Sequence, residues 1–167
     1  MMLGKPRDFT PGGKWEGQVI LCHLATLIWL YEREFQRTPT LAQYTKFAPS
    51  YNTLLSRMMG MGQRLQRPPL GSTRLTAGTV LIFESGGQAM HSCMAIDNFK
   101  TGGYNQTTWF AKPGKVTLFS EHETAEIKWR GPQFPGQTGG ERDGVWYNLI
   151  AVPEGPARGL VRQASQA

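Results

Sequence analysis

Three groups in this 167-residue chain have the types and spacing to do chemistry together: the thiol of Cys22, the imidazole of His91 and the side-chain amide of Asn105. An imidazole can take a proton from a thiol and turn it into a nucleophile. An amide oxygen that accepts from one ring nitrogen fixes the tautomer and leaves the other nitrogen for that task. A thiol near a helix N-terminus is also easier to ionise, because the backbone dipoles there favour negative charge. Together these groups predict attack of a cysteine on a carbonyl carbon.

Two elements must position the three groups. The stretch "AMHSCMAIDNFKTGGYNQTTWF", residues 89–110, reads as a β-hairpin. Side chains alternate along a strand, so Ala89, His91, Cys93 and Ala95 share one face, whose small residues would let a helix approach closely. A turn over "DNFK" sets His91 opposite Gln106; a turn centred on Asn98 sets it opposite Asn105, and Gly102 and Gly103 favour the latter by allowing a bulge. The second element is a helix expected over Gly17–Arg37, with Ile20, Leu24, Leu27, Tyr31 and Phe35 at spacings of three and four. Cys22 would have to lie in its first turns. His23, about 100° further round such a helix, is not expected to be the partner base.

The rest of the chain changes texture near residues 67–78. Before it, "LAQYTKFA" and "SYNTLLSRMMGMGQRLQ" read as helices, the second with Ser50 as N-cap and weakened by Gly60 and Gly62. After it come strand candidates at 79–84, 89–96, 103–110, 115–120, 125–130 and 145–152. Helices first and an antiparallel sheet second give an α+β fold in one domain, 1–167. Residues 1–15 and the tail 153–167, "PEGPARGLVRQASQA", are expected to be loosely held.

Two cysteines are too few for a disulfide framework, and neither belongs to a CxxC pair. Glu121, His122 and Glu123 are metal-type ligands, but neighbours on a strand point apart and no HExxH occurs, so no metal and no cofactor are expected. No apolar run reaches the roughly 18–20 residues that span a bilayer, and the start has no apolar core of a signal peptide, so a cytoplasmic location in the producing cell is expected. The net charge of +6 is uneven: residues 1–83 hold ten basic and four acidic residues, residues 84–167 eight of each. Arg37, Lys46, Arg57, Arg64, Arg67 and Arg74 lie in a stretch with no acidic residue. A basic module binding an acidic partner, nucleic acid or a membrane surface is therefore the rival reading.

With Cys22 on the first helix, "GTVLIFESGGQAMHSCMAI" as strand, glycine turn and histidine-bearing strand, and "GYNQTTWF" next, the chain resembles the small bacterial papain-like cysteine hydrolases. That group includes the NlpC/P60 amidases and many secreted effector toxins. The resemblance implies a papain-like fold with Cys22 as nucleophile, His91 as base and Asn105 as orienting group, or Gln106 or Asp143 in its place. It implies an oxyanion site from Gln18 and the backbone N–H of Cys22, and Trp109 shielding the orienting amide. By position it covers about residues 15–130. The implied activity is that of a peptidase, protein deamidase or peptidoglycan amidase, with protein or peptidoglycan as substrate. The implied setting is a bacterial toxin delivered into a target cell by a secretion system, with an immunity protein or secretion adaptor as partner. The papain string CG[SA]CW is absent, which favours a compact amidase or effector over an endopeptidase.

Overall fold

The structure is a computed structural model, described here for residues 3–7, 22–65, 74–105, 118–127, 130–131 and 145–166. Three helices come first: α1 (Cys22–Phe35), α2 (Leu41–Phe47) and α3 (Tyr51–Met59). Eight strands follow: β1 (Gln63–Arg64), β2 (Val80–Ser85), β3 (Gln88–Ala95), β4 (Lys100–Asn105), β5 (Leu118–Glu123), β6 (Arg130–Gly131), β7 (Val145–Trp146) and β8 (Asn148–Val152). A last helix, α4 (Glu154–Gln166), closes the chain. Six strands form one antiparallel sheet in the order β1-β8-β2-β3-β4-β5, and β6 and β7 pair separately. The molecule is thus α+β, helices against an antiparallel sheet.

Local chemistry explains several boundaries. Thr40 caps α2 with a reciprocal bond to Gln43, which uses two amides that the helix leaves open. Ser50 does precede α3, yet its side chain makes no capping bond, and Gly60 ends the helix where glycine was expected to weaken it. Gly86 and Gly87 both have positive φ, 59° and 83°, which lets β2 turn into β3 in two residues. The next turn is built by Asp97, whose Oδ1 accepts from the amides of Phe99 and Lys100 at 2.8 and 2.9 Å.

Each face of the sheet is buried. Val80 and Ile82 of β2, Met94 of β3 and Val152 of β8 meet the helices, in a core that includes Leu27, Ile28, Trp29, Leu30, Phe47 and Leu55. Leu81, Phe83, Cys93, Ala95 and Leu149 face the other way, into a smaller core with Leu75, Ile127 and Tyr147. This corrects the expected docking face: the helices cover the Met94 side of β3, and the small residues Cys93 and Ala95 serve the second core. Gln63–Arg64, read as the end of a helix, is instead a short strand on β8, because Gly60 and Gly62 stop α3 first.

The tail expected to be loose is α4, with Ala157, Leu160 and Val161 buried against α1, α2 and α3. Gly155, Pro156 and Gly159 hide its helical pattern, and tertiary burial overrides their propensity. Charge fastens it to α1: Arg33 pairs with Glu154, while Arg158 and Arg162 bond Glu34 at 3.0 and 2.7 Å. The described residues near the start are held too, since Gly4 N–H and Arg7 bond the buried carboxylate of Glu32, which also accepts from Thr38 at 2.6 Å. Gly4 adopts a φ of 80° and lies so close to Arg33 that a Cβ would sit 2.1 Å from Cγ of that side chain.

Two outcomes follow for stability. Leu160→Ala empties a core position and is expected to cost about 2–4 kcal/mol in urea unfolding, where a loose tail would show no change. The bond from Arg162 does most to hold the Glu34 carboxyl below the ordinary glutamate range; burial opposes it and Arg158 adds to it. A depressed carboxylate stabilises the fold above the ordinary glutamate value and loses that contribution as pH falls through the lowered one. Glu34→Gln is therefore expected to lower Tm at pH 7, by less than about 1 kcal/mol for so open a pair. The difference from wild type should vanish near pH 2, and a difference that persists there would refute the ionic role.

Candidate functional site

The site is the meeting of the first turn of α1 with β3. Cys22 opens α1 as a half-buried residue, and its thiol lies within hydrogen-bonding reach of two imidazoles, His91 and His23. His91 is buried, its ring edge-on to Phe83 with centroids 5.1 Å apart. His23 is held by Ser92 Oγ at 2.8 Å from Nδ1 and by the Ala89 carbonyl at 3.0 Å from Nε2. Ser92 also bonds Thr26 Oγ1 at 3.1 Å, and Thr26 Oγ1 donates to the Cys22 carbonyl at 3.1 Å.

Neighbours on a strand point to opposite faces, yet His91 and Ser92 both meet this one turn of helix. Two local features of β3 lie beside this contact. Among the described residues the β3–β4 ladder consists of Met94–Gly102 and Ala95–Thr101. Between the pairs Phe83–His91 and Glu84–Ala89, β3 carries one more residue than β2. Such a bulge twists a strand and re-aims its groups, and here it sets the Ala89 carbonyl toward the helix.

The electrostatics set the two cysteines apart. Burial is the largest influence on Cys22 and resists ionisation, but the charges and hydrogen bonds of His91 and His23 outweigh it and hold the thiol well below its ordinary value. For His23, burial pulls downward and loses to the Cys22 charge, the bond to Cys22 and the Ala89 carbonyl, so its value is raised. Cys93 lies among Leu81, Phe83 and Leu149, where burial above all pushes it up to about 12. With its thiol held low beside two imidazoles, Cys22 is the cysteine suited to attack an electrophilic carbon, whereas Cys93 packs in the second core.

Of the residues singled out from the sequence, Cys22 and His91 are brought together. The β3–β4 pairs sum to 196, the register expected of a turn centred on Asn98, and among the described residues that ladder reaches neither His91 nor Asn105. Asn105 itself is a backbone partner of Leu118 on β5. Asp97 builds the turn of this hairpin. Toward β5, β4 pairs evenly through Gly102 and Gly103, while toward β3 the described ladder ends at Gly102. Gln18, Gln106, Trp109, Asp143 and Arg67 lie outside the described residues. His23 does reach the thiol despite its 100° offset, and Ser92 and Ala89 of β3 hold its ring there. A clue was present: Thr26 and Ser92 are polar residues on otherwise apolar buried faces, and both prove to be fully buried.

His122, weighed as a metal ligand, bonds Ser120 at 2.9 Å and Glu126 at 3.1 Å, and among the described residues no three His, Cys, Asp or Glu are grouped to hold an ion. No described helix is long and apolar enough to cross a membrane. Several basic residues are engaged within the chain: Arg37 with Tyr31, Arg64 with Asn148, and Arg74 over the ring of Phe99. Comparison with protein-family models, with curated proteins and with solved structures gives no match to this chain, so its reading rests on the geometry of Cys22, His23 and His91.

Proposed function

We propose that this chain is a thiol-dependent hydrolase of amide bonds, with a papain-like arrangement of nucleophile and base. The observation that carries the reading is the Cys22 thiol at the start of α1, beside the imidazole of a buried strand histidine and held well below the ordinary thiol value. Perturbed nucleophiles paired with a base mark functional sites more often than packing sites.

In the proposed reaction the Cys22 thiol first gives its proton to His91, and the resulting thiolate attacks the amide carbon. The tetrahedral oxyanion is held by the Cys22 backbone N–H. The C–N bond then breaks, His91 returns the proton to the leaving amine, and a thioester remains. Water, deprotonated by His91, attacks the thioester and releases the carboxylic acid and the thiolate. Asn105, on the neighbouring strand β4, is the proposed orienting amide. A protein side-chain amide, a peptide bond and a peptidoglycan cross-link are the substrate classes that the resemblance to small bacterial papain-like hydrolases and effector toxins offers.

The test is iodoacetamide labelling of the full chain from pH 5 to 9 with peptide mapping, followed by turnover assays on the three substrate classes. Cys22 is expected to label rapidly below pH 7, where an ordinary thiol near 8.5 is almost wholly protonated, and Cys93 only on unfolding. Cys22→Ala is expected to abolish turnover, and His91→Ala to lower it by about 10²–10⁴-fold. Labelling of Cys22 no faster than an ordinary thiol would sink the reading. A folded Cys22→Ala protein that keeps its activity would do the same, and would return attention to the basic segment Arg37, Lys46, Arg57, Arg64, Arg67 and Arg74 as a binding surface.

A further inference from the structure

The hydrogen bonds around His23 determine how many protons it carries. The Cys22 carbonyl can only accept, so Thr26 Oγ1, 3.1 Å away, commits its single proton there. Ser92 Oγ, 3.1 Å from Thr26 Oγ1, must therefore donate to it. With that proton placed, Ser92 offers only a lone pair to His23 Nδ1 at 2.8 Å, so Nδ1 bears a hydrogen. On the other side of the ring, Nε2 faces the Ala89 carbonyl at 3.0 Å, again an acceptor only, so Nε2 bears one as well. A histidine with two N–H groups is an imidazolium.

We propose that His23 is a positioning residue locked as an imidazolium by the Cys22 carbonyl–Thr26–Ser92 relay, supplying a fixed positive charge that stabilises the Cys22 thiolate whatever the state of His91. The site then has one fixed and one transferable charge. His91 can give its proton to a leaving amine or take one from water while the sulfur keeps a cation beside it. The titratable groups around His23 are Cys22 on its own helix, His91 on β3, and Tyr51 on α3, whose ring centroid lies 6.0 Å from that of His23. His23 is also shifted toward its charged form against the pull of burial, as two committed donors require. The role of the charge in turnover rests on the hydrolase reading above; the charge itself does not.

The test uses full-length protein with ¹⁵N-labelled histidine and reads both ring nitrogens from pH 6 to 8. Both nitrogens of His23 are expected at protonated shifts through pH 7.5. Thr26→Val keeps the shape but frees the Ser92 hydroxyl to donate to Nδ1, so His23 should lose a proton near neutral pH. Cys22 alkylation at pH 6 should then fall about tenfold for each unit by which the thiol value rises. Thr26→Ser should restore both signals. A bare His23 nitrogen at pH 7 in wild type would overturn the proposal, as would Thr26→Val matching wild type in both readouts. Loss of fast alkylation in Thr26→Val with His23 still doubly protonated would also overturn it, since the thiolate would then not depend on that charge. Doubly protonated His23 with fast alkylation but no hydrolysis of any amide would uphold the charge and defeat only the hydrolase reading.

Discussion

The constraint on which this molecule's chemistry depends is electrostatic: a thiol drawn out of bulk water must ionise, and burial opposes that. A lone charge in such a place would revert to its neutral form. What prevents this for Cys22 is the nearness of two imidazoles, each held from a different direction by β3. Such bonds weaken steeply over a few tenths of an ångström or a few tens of degrees. The first turn of α1 must therefore stay fixed on the strand, and much of the fold can be understood as the means of keeping it there.

An α-helix is stiff, so clamping it two or three turns away also fixes its first turn. Glu32, Arg33 and Glu34 provide that clamp, each bonded to a different segment: Glu32 to Gly4, Arg7 and Thr38, Arg33 to Glu154, and Glu34 to Arg158 and Arg162. Between clamp and site, Trp29 lies against Tyr104 of β4 and Phe119 of β5, with ring centroids 6.5 and 6.2 Å away. Aromatic contacts of this kind join helix and sheet over a large apolar area. The same helix thus fixes the thiol against β3 and sets its own position relative to β4, the strand that carries Asn105.

What could be read from the chain follows how local each signal is. The periodicity of Leu24, Leu27 and Tyr31, the Gly86-Gly87 turn and the alternation through β2 and β3 act within a few residues, and those elements were legible. The register of the hairpin was narrowed to two by turn length, and the Asp97 side chain decided between them. α4 was hidden because its stability comes from Leu160 and Val161 packing on α1, a contact more than 120 residues distant in the chain that glycine and proline disguise. His23 was hidden for a related reason. Helical spacing places it correctly on its own helix but says nothing of a bulged strand crossing that turn, and the significance of Thr26 and Ser92 appears only when the two elements touch.

The two cysteines show how far surroundings outweigh residue type. Cys22 and Cys93 have the same thiol, yet only Cys22 has cationic partners, while Cys93 is enclosed by aliphatic and aromatic side chains in the second core. The charge on Cys22 further discourages ionisation of Cys93, since two anions near one another raise each other's cost. The sheet enforces this asymmetry. Cys93 projects from β3 into a closed apolar layer, whereas its neighbour Ser92 faces α1, where His23 and Thr26 meet its hydroxyl and tie the strand to the turn that carries Cys22.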